Sequence, residues 1–304
     1  TERRWDLETM EALGLPTNIL PNIDFAGTVR GELRSSIATE LGINRAKLCA
    51  VGGHDTASAV AAIPGSGNFA FCSSGTWSLF GVETETAILT DDVRNSGFSN
   101  EGTVQGTFRP LANMMGLWLI QECRNQWKKA GKAYSWDEIV EAAQLAPTHR
   151  SVIDPGDTVF FGAGDMICRI QTYCKNSSQP VPETVGEIAR CIYESLALKY
   201  RWTMERLEEI KGTKLDSLNI VGGGIQNKLL NQMVADSINR PVITGPIEGA
   251  AIGNLLMQAM ALGELGSLAE LRQVVRNSET VQSYHPNHSQ VWDDAYEKLL
   301  KLSK

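Results

Sequence analysis

Three consecutive glycines, Gly222, Gly223 and Gly224, stand between a short apolar run and a segment with helical periodicity. Residues 218–221 (LNIV) read as a strand, and a strand, glycine turn and helix in succession are typical of an α/β domain. Glycines let the backbone approach a ligand closely, and a helix N-terminus presents unpaired N–H groups to anions. The segment lacks the spacing of a dinucleotide motif or of a phosphate-binding loop, so an ordinary structural turn explains it equally well.

The same alternation of β-rich runs and longer helical segments extends along the 304 residues and predicts an α/β fold. Because 42% of the residues are apolar, the chain is able to bury a substantial core. A buried strand is expected at 48–52, and strands at 68–72 and 77–83 are expected to form a hairpin with Gly75 at positive φ. The other expected elements are helices at about 1–15, 114–130, 135–145, 184–210, 226–238, 248–262 and 267–276.

Charged residues are dispersed along the chain, with 28 basic and 35 acidic side chains and a formal net charge of -7. No block of lysines and arginines predicts binding to nucleic acid or to an anionic membrane, so a small-molecule partner is favoured. No apolar run approaches the roughly 20 residues that a membrane-spanning helix needs. The sequence starts at Thr1 in what reads as the middle of a helix, so a native N-terminus is expected upstream.

The six cysteines form no CxxC pair, and the four histidines do not have the spacing of metal ligands. This pattern favours reduced thiols in a cytoplasmic protein without a metal site built from its side chains. Cys168 and Cys174 are the exception to consider, because they lie six residues apart on an expected helix. A local disulfide between them is the alternative, although this spacing puts them on different helix faces.

Asp55 follows the expected strand at 48–52 and opens a helix of small residues, TASAVAA. At the edge of a sheet, where α/β proteins bind ligands, a carboxylate is held rigidly enough to accept a proton from a substrate hydroxyl. Such a base need not be strong in phosphoryl transfer, which depends mainly on positioning. The alternative is that Asp55 only caps the helix that starts at Thr56. His54 is a candidate donor to a substrate hydroxyl or else an ordinary structural histidine.

Two further segments carry polar groups at expected element ends. The turn at 73–76 (SSGT) offers hydroxyl and N–H donors to the phosphates of a nucleotide, or is an ordinary hairpin turn, and Trp77 and Phe80 beyond it are expected in the core. Asn113 precedes an expected apolar helix, where asparagine is usually a cap, and this helix carries Gln121.

The order of these segments resembles the FGGY family of carbohydrate kinases from about residue 5 to about residue 287. The first two motifs are the most specific of the set, which consists of GGHDTASA at 52–59, SSGTWS at 73–78, NMMGLW at 113–118, GGGIQN at 222–227 with LLNQ at 229–232, and GPIEGA at 245–250. The resemblance implies the actin-like, ribonuclease-H-like two-domain fold, with substrates bound between the domains. This chain then corresponds to the C-terminal, nucleotide-binding half of such a kinase.

The resemblance also implies a role for each matching residue. Asp55 matches the family's general base. Three positions match its sugar contacts: His54, Thr56 and Asn113. Three others match its contacts to ATP, which Mg²⁺ would accompany: Thr76, Gln121 and Gly223.

The resemblance divides the chain into three parts. Residues 1–50 match the end of the family's first, sugar-binding domain, residues 51–290 match its nucleotide-binding domain, and residues 291–304 form a C-terminal helical tail. The remainder of the first domain is therefore an expected partner within the same protein. The implied reaction is the ATP-dependent phosphorylation of a ketose. The first choice of substrate is L-rhamnulose, with L-rhamnulose 1-phosphate as the product. Fuculose, xylulose, gluconate and glycerol are alternative substrates, and a catalytically silent binding module is the alternative outside the enzymes.

Overall fold

The computed structural model describes residues 4–287 and 290–303. Its strands are β1 (Thr28–Glu32), β2 (Lys47–Ala50), β3 (Phe69–Ser74), β4 (Trp77–Gly81), β5 (Ser99–Gly102), β6 (Phe108–Met115), β7 (Ser217–Val221), β8 (Val242–Thr244) and β9 (Gln282–Tyr284). Its α-helices are α1 (Leu7–Ala12), α2 (Ser35–Leu41), α3 (Asp55–Ala61), α4 (Asp91–Asn95), α5 (Trp118–Lys129), α6 (Trp136–Leu145), α7 (Met166–Asn176), α8 (Val185–Lys211), α9 (Lys228–Ile238), α10 (Gly249–Ala261), α11 (Leu268–Ser278) and α12 (Gln290–Leu302).

A seven-stranded sheet in the order β5-β6-β4-β3-β7-β8-β9 forms the centre of the molecule. Strands β3, β4 and β6 pair antiparallel in succession, whereas β7 pairs parallel to β3 and β8 pairs parallel to β7. Three antiparallel strands joined at their first member to two parallel ones make up the ribonuclease-H-like arrangement, to which β5 and β9 add an edge strand on each side. The topology confirms the expected α/β, actin-like fold class.

Local signals at the helix ends explain why the long helices form where they do. At the start of α8, the Thr184 side chain accepts a hydrogen bond from the Glu187 N–H, and the Glu187 carboxylate accepts one from the Thr184 N–H. This capping box satisfies N–H groups that have no partner inside the helix, and Gly212 at φ +70° ends α8. Ser135 and Glu138 form the same box at the start of α6.

Helix α3 packs against α10 at very short range because both carry small residues at their contact. A Cβ atom on Gly253 of α10 would overlap the carbonyl oxygen of Ser58 in α3. Gly249 likewise lies against Ala59 and Val221, where a Cβ would meet the Val221 side chain at 3.3 Å. This contact fixes the position of α3, and therefore of Asp55 at its first turn.

The strand expected at 48–52 is present as β2, but the prediction that it is buried is wrong. It pairs with β1 in a separate two-stranded sheet, and Leu48 is 51% exposed. Asp55 therefore does not follow a strand of the main sheet. Of the helix expected at 1–15, the structure contains α1, while residues 1–3 lie outside the described part of the chain.

The helix expected at 114–130 begins later, at Trp118, because residues 108–115 form β6. Most side chains of β6 are buried, so its apolar residues lack the alternation that identifies a strand with one face toward solvent. Asn113 consequently lies within a strand, and the expectation that it stands at a helix entrance is wrong.

Two smaller expectations are also corrected, and one open alternative is decided. Gly75 is outside the positive-φ region, and the turn is closed by its N–H, which donates to the carbonyl of Trp77. Trp77 is 44% exposed, whereas Phe80 is buried as expected. All six cysteines are free, with Cys168 exposed and Cys174 buried, so the alternative of a local disulfide is not realised. Within the described ranges, no helix has the length and apolar character needed to cross a membrane.

Candidate functional site

A cavity of about 390 Å³ opens where the β3–β4 turn, the starts of α5 and α6, and the glycine triplet meet. We refer to it as the glycine cavity; its lining residues are Gly75, Thr76, Leu117, Ile120, Gln121, Trp136, Asp137, Val140, Tyr193, Gly223, Gly224, Gln226 and Asn227. All three residues expected to contact ATP belong to this lining. An apolar concave surface with a few polar groups is typical of a small-molecule site.

Thr76 and Gln121 are held together by direct and indirect hydrogen bonds. The Thr76 hydroxyl donates to the Gln121 Oε1 atom over 3.1 Å. The N–H groups of Gly116 and Trp118 donate to the Thr76 carbonyl, at 3.1 and 3.2 Å, and the N–H of Leu117 donates to the Gly75 carbonyl. The hairpin turn and the start of α5 are therefore fixed to each other as one wall of the glycine cavity.

The three glycines of the triplet differ in what surrounds them. Gly222 has φ +92°, and a Cβ there would lie 2.7 Å from the Ser74 carbonyl oxygen. A Cβ on Gly224 would overlap the Ser74 hydroxyl. A Cβ on Gly223 would meet no described atom within 4 Å. The outer glycines are thus required by backbone packing, whereas Gly223 leaves open space at the surface of the glycine cavity.

Two aromatic residues of the glycine cavity were missed by sequence reasoning. Trp136 stands at the first position of α6, and Tyr193 lies in α8. Burial raises the pKa of Tyr193, and a hydrogen bond with the Asn227 side chain lowers it by a smaller amount. The phenol therefore stays protonated beside the glycine loop. The Ser135–Glu138 capping box signals the helix start, but no local pattern shows that α6 reaches the triplet.

The second group of expected site residues is called the α3 cluster. Three of its members lie at the start of α3, and the fourth is in β6: His54, Asp55, Thr56 and Asn113. Asp55 is the first residue of α3, and its side chain is 80% exposed. Its Oδ1 atom accepts a hydrogen bond from the Thr56 N–H over 2.7 Å. The helix thus starts at Asp55 itself, with His54 in the capping position, so the alternative of Asp55 as the cap of a helix starting at Thr56 does not match the structure.

His54 and Thr56 have different environments on either side of Asp55. The His54 side chain is 57% exposed, and its Nε2 atom lies 3.5 Å from Asp55 Oδ1. Thr56 is buried, and its hydroxyl lies 3.4 Å from the same carboxylate oxygen. Asp55 Oδ1 therefore faces three groups of its own chain segment, and Oδ2 has no partner among the described residues.

Asn113 joins the α3 cluster through the register of the sheet. It lies opposite Leu79 in the β4–β6 pair, and strand alternation puts its side chain on the same face as Leu111. Leu111 belongs to the same apolar cluster as Ala59 and Val60 of α3, and Leu79 packs against this cluster, so this face of the sheet is the one toward α3. Asn113 is exposed and lies three residues before Gly116, about 10 Å along the strand from the wall of the glycine cavity.

Comparison with known proteins gives the class to which this fold and site belong. Residues 70–262 match the model of the FGGY family of carbohydrate kinases, C-terminal domain. Because this match covers more than half of the chain, the protein belongs to the FGGY family of carbohydrate kinases.

The chain is similar to two curated rhamnulokinases over most of its length. It is 41% identical over 295 residues to that of Bacteroides thetaiotaomicron, covering 97% of this chain and 60% of the relative. It is 39% identical over 289 residues to that of Enterococcus faecalis, covering 94% of this chain and 58% of the relative. The chain thus spans about three fifths of the length of the relatives it matches.

Solved structures support the same fold at lower sequence identity. A ligand-bound xylulose kinase from Lactobacillus acidophilus superposes with a TM-score of 0.71 at 19% identity, over 98% of this chain and 58% of that one. A Plasmodium falciparum glycerol kinase with ADP gives 0.71 at 15% identity, over 98% and 60%. At this identity the likeness establishes the fold alone.

Proposed function

We propose that the complete protein transfers the γ-phosphoryl group of ATP to the primary hydroxyl of L-rhamnulose, giving L-rhamnulose 1-phosphate in L-rhamnose degradation. The observation that carries the proposal is the convergence of Thr76, Gln121 and Gly223, which are far apart in sequence, on one cavity. An exposed carboxylate, Asp55, lies at the start of a neighbouring helix. The similarity to rhamnulokinases supports the choice of sugar.

In this mechanism Asp55 accepts the proton of the attacking sugar hydroxyl. Its Oδ1 atom is fixed by the Thr56 N–H, so the carboxylate has a defined direction, and Oδ2 is left to accept the proton. Three members of the α3 cluster contact the other sugar hydroxyls: His54, Thr56 and Asn113. Because the transition state of phosphoryl transfer is loose, the positions of the two reacting oxygens matter more than the strength of the base.

The nucleotide occupies the glycine cavity. The adenosine packs over Gly223 and against the apolar wall that includes Trp136 and Val140, and the phosphates extend toward the hydroxyl of Thr76, with Gln121 beside it. No group of three or more acidic, histidine or cysteine side chains that suits a metal ion exists in the described ranges. Mg²⁺ would accompany ATP as the substrate Mg-ATP and would offset the developing charge.

The domain boundaries follow from the same proposal. Residues 1–50 belong to the end of the sugar-binding domain, residues 51–290 form the nucleotide-binding domain, and residues 291–304 form the helical tail. Large apolar side chains are exposed throughout the first part, which supports a partner domain of the same protein on this surface: Trp5, Leu7, Leu13, Leu15, Ile19, Ile23, Phe25, Val29, Ile37, Leu41, Ile43 and Leu48. Free thiols support a cytoplasmic location.

The identity of the substrate is tested by giving the complete protein a panel of sugars and measuring the ADP that it releases with each. We expect kcat/KM to be highest for L-rhamnulose. A higher value for fuculose, xylulose, gluconate or glycerol would move the protein to another branch of the family. ATP binding without phosphorylation of any sugar would instead indicate a silent binding module and overturn the proposed activity.

A further inference from the structure

Arg109 is a buried charged residue that no expected site includes. It lies in β6, its side chain is 1% exposed, and its Nε and Nη2 atoms donate to one oxygen of Glu101, at 3.2 and 2.6 Å. Its Nη1 atom has no hydrogen-bond partner among the described residues. The Glu101 side chain is 35% exposed, so the ion pair is only partly buried and adds little net stability, and an unpaired buried donor costs stability. Stability alone therefore does not explain this arginine.

The third contact of Arg109 leads to the α3 cluster. Its Nη2 atom lies 3.5 Å from Nδ1 of His54. A guanidinium group has only donors, so Nδ1 acts as the acceptor, and the proton of the neutral imidazole is on Nε2. The Nε2 atom in turn lies 3.5 Å from Asp55 Oδ1. Glu101, Arg109, His54 and Asp55 therefore form a continuous row of polar contacts.

We propose that Arg109 is a positioning residue that holds His54 in the Nε2–H tautomer, with this N–H directed at the Asp55 carboxylate and the sugar bound beside it. The proposal rests on the proposed function, because that function makes Asp55 the base and His54 a contact of the sugar. In the other tautomer, the Nε2 lone pair would face the carboxylate and repel it. Contacts of 3.5 Å are long for hydrogen bonds and are expected to shorten when substrate closes the site.

Nitrogen-15 NMR of the histidine rings tests the tautomer independently of activity. In the complete protein labelled with ¹⁵N-histidine, the His54 signals are assigned by their loss in His54→Gln. We expect a single Nε2–H tautomer in the wild type and a mixture in Arg109→Met. Arg190→Met is the matched control, because Arg190 is also largely buried and paired with a carboxylate, Glu194, away from the α3 cluster. An Nδ1–H ring in the wild type, or an unchanged tautomer in Arg109→Met, overturns the proposal.

A double-mutant cycle tests whether Arg109 acts through His54. Misplacing a reacting group by about 1 Å costs up to roughly 100-fold in rate, so we expect Arg109→Met to lower kcat by about 10- to 100-fold with KM for ATP unchanged. In the His54→Gln background the same change should have little further effect. Additive losses would overturn the proposal.

Arg109→Lys keeps the charge and a donor for Nδ1, and it should retain most of the wild-type kcat; a loss as large as that of Arg109→Met would contradict the proposal. If circular dichroism shows that Arg109→Met does not fold, Arg109→Lys replaces it in the NMR experiment and in the kinetic assay. The tautomer of His54 in the wild type then decides whether the proposal stands. A wild type that phosphorylates no sugar would refute the proposed function, while the NMR result would still decide the role of Arg109.

Discussion

The glycine cavity and the α3 cluster differ in how much of their surroundings this chain supplies. The β3–β4 hairpin, the starts of α5 and α6, and the glycine loop enclose the glycine cavity. Every residue expected to bind ATP lines this cavity. In the α3 cluster, Asp55, His54 and Asn113 are all exposed. We infer that these residues supply most of the nucleotide half of the cleft, and that the remainder of the protein, which the longer relatives indicate, completes the sugar half and the rest of the ATP site.

The largest effect is expected at the reacting end of the α3 cluster. Asp55→Asn keeps the size of the side chain but removes its charge and basicity, so kcat of the complete protein should fall by about 10²- to 10⁴-fold. The Kd for ATP should stay within a few-fold, because the glycine cavity does not include this residue. Stopped-time product assays and nucleotide titration measure the two quantities.

Asp91→Asn is the matched control, since Asp91 is also an exposed first residue of a helix. It should leave kcat unchanged. Near-normal turnover in Asp55→Asn with an intact fold would remove Asp55 from the mechanism.

The next effect concerns the open space at Gly223. Gly223→Val places a branched side chain where the structure has room for it, so the fold should be kept while the adenosine is displaced. We expect KM for ATP to rise roughly tenfold or more, with KM for the sugar nearly constant. Gly266→Val, in a loop outside the glycine cavity, is the control. Equal changes in both KM values would contradict the assignment of the two halves.

An effect of similar size is expected at the end of the glycine cavity where we propose that the phosphates bind. Thr76→Val keeps the shape of the residue but removes the hydroxyl, which donates to Gln121 in the absence of nucleotide and which we propose turns to donate to a phosphate oxygen when ATP binds. Losing one hydrogen bond to a charged group costs about 1.5–3 kcal/mol, so KM for ATP should rise by at least about tenfold. Thr76→Ser retains the hydroxyl and should behave like the wild type. Loss of affinity in Thr76→Ser equal to that in Thr76→Val would show that packing, and not the hydroxyl, matters.

The smallest effect lies outside both halves. Burial lowers the pKa of His149, and Glu194 opposes this shift. Below about pH 6.5 the unfolded chain takes up a proton that the folded ring does not, so stability falls as the pH drops below that value and is unaffected above it. His149→Asn is compatible with φ +53° at this position and should remove this part of the acid sensitivity.

Urea unfolding at about pH 7.5 and about pH 5.5 measures the acid sensitivity of wild type and variant. The KM values for ATP and sugar should not change in His149→Asn. This result would show that His149 affects folding stability but not substrate binding in either half of the cleft. An identical loss of stability between the two pH values in both proteins would show that His149 is not its source.

Local signals explain which parts of this molecule the sequence predicts. The start and end of α8 were predicted within one residue, because Thr184 and Gly212 mark them chemically. Strand β6 was missed because most of its side chains are buried without alternation and because it contains Pro110, which usually excludes a central strand. The gathering of Thr76, Gln121 and Gly223 was expected only through family resemblance.

The partners of the site residues lay beyond sequence reasoning. Arg109 was visible only as an ordinary charged residue before Pro110, because its burial depends on the pairing of β5 with β6. Trp136 and Tyr193 reach the glycine cavity from two helices whose packing no local pattern encodes. Tertiary contacts between distant segments, not local propensity, determine these features.

Calorimetric titration of ATP into the purified 304-residue chain tests the central claim most directly, because it asks whether the nucleotide half of the cleft works alone. We predict binding at one site, abolished by Gly223→Val. The same preparation should show almost no ketose-dependent ADP production, since correct orientation of two substrates supplies about 7–11 kcal/mol of the barrier lowering and the sugar half is incomplete. A folded chain that does not bind ATP, or one that turns over sugar as fast as the complete protein, would contradict the account.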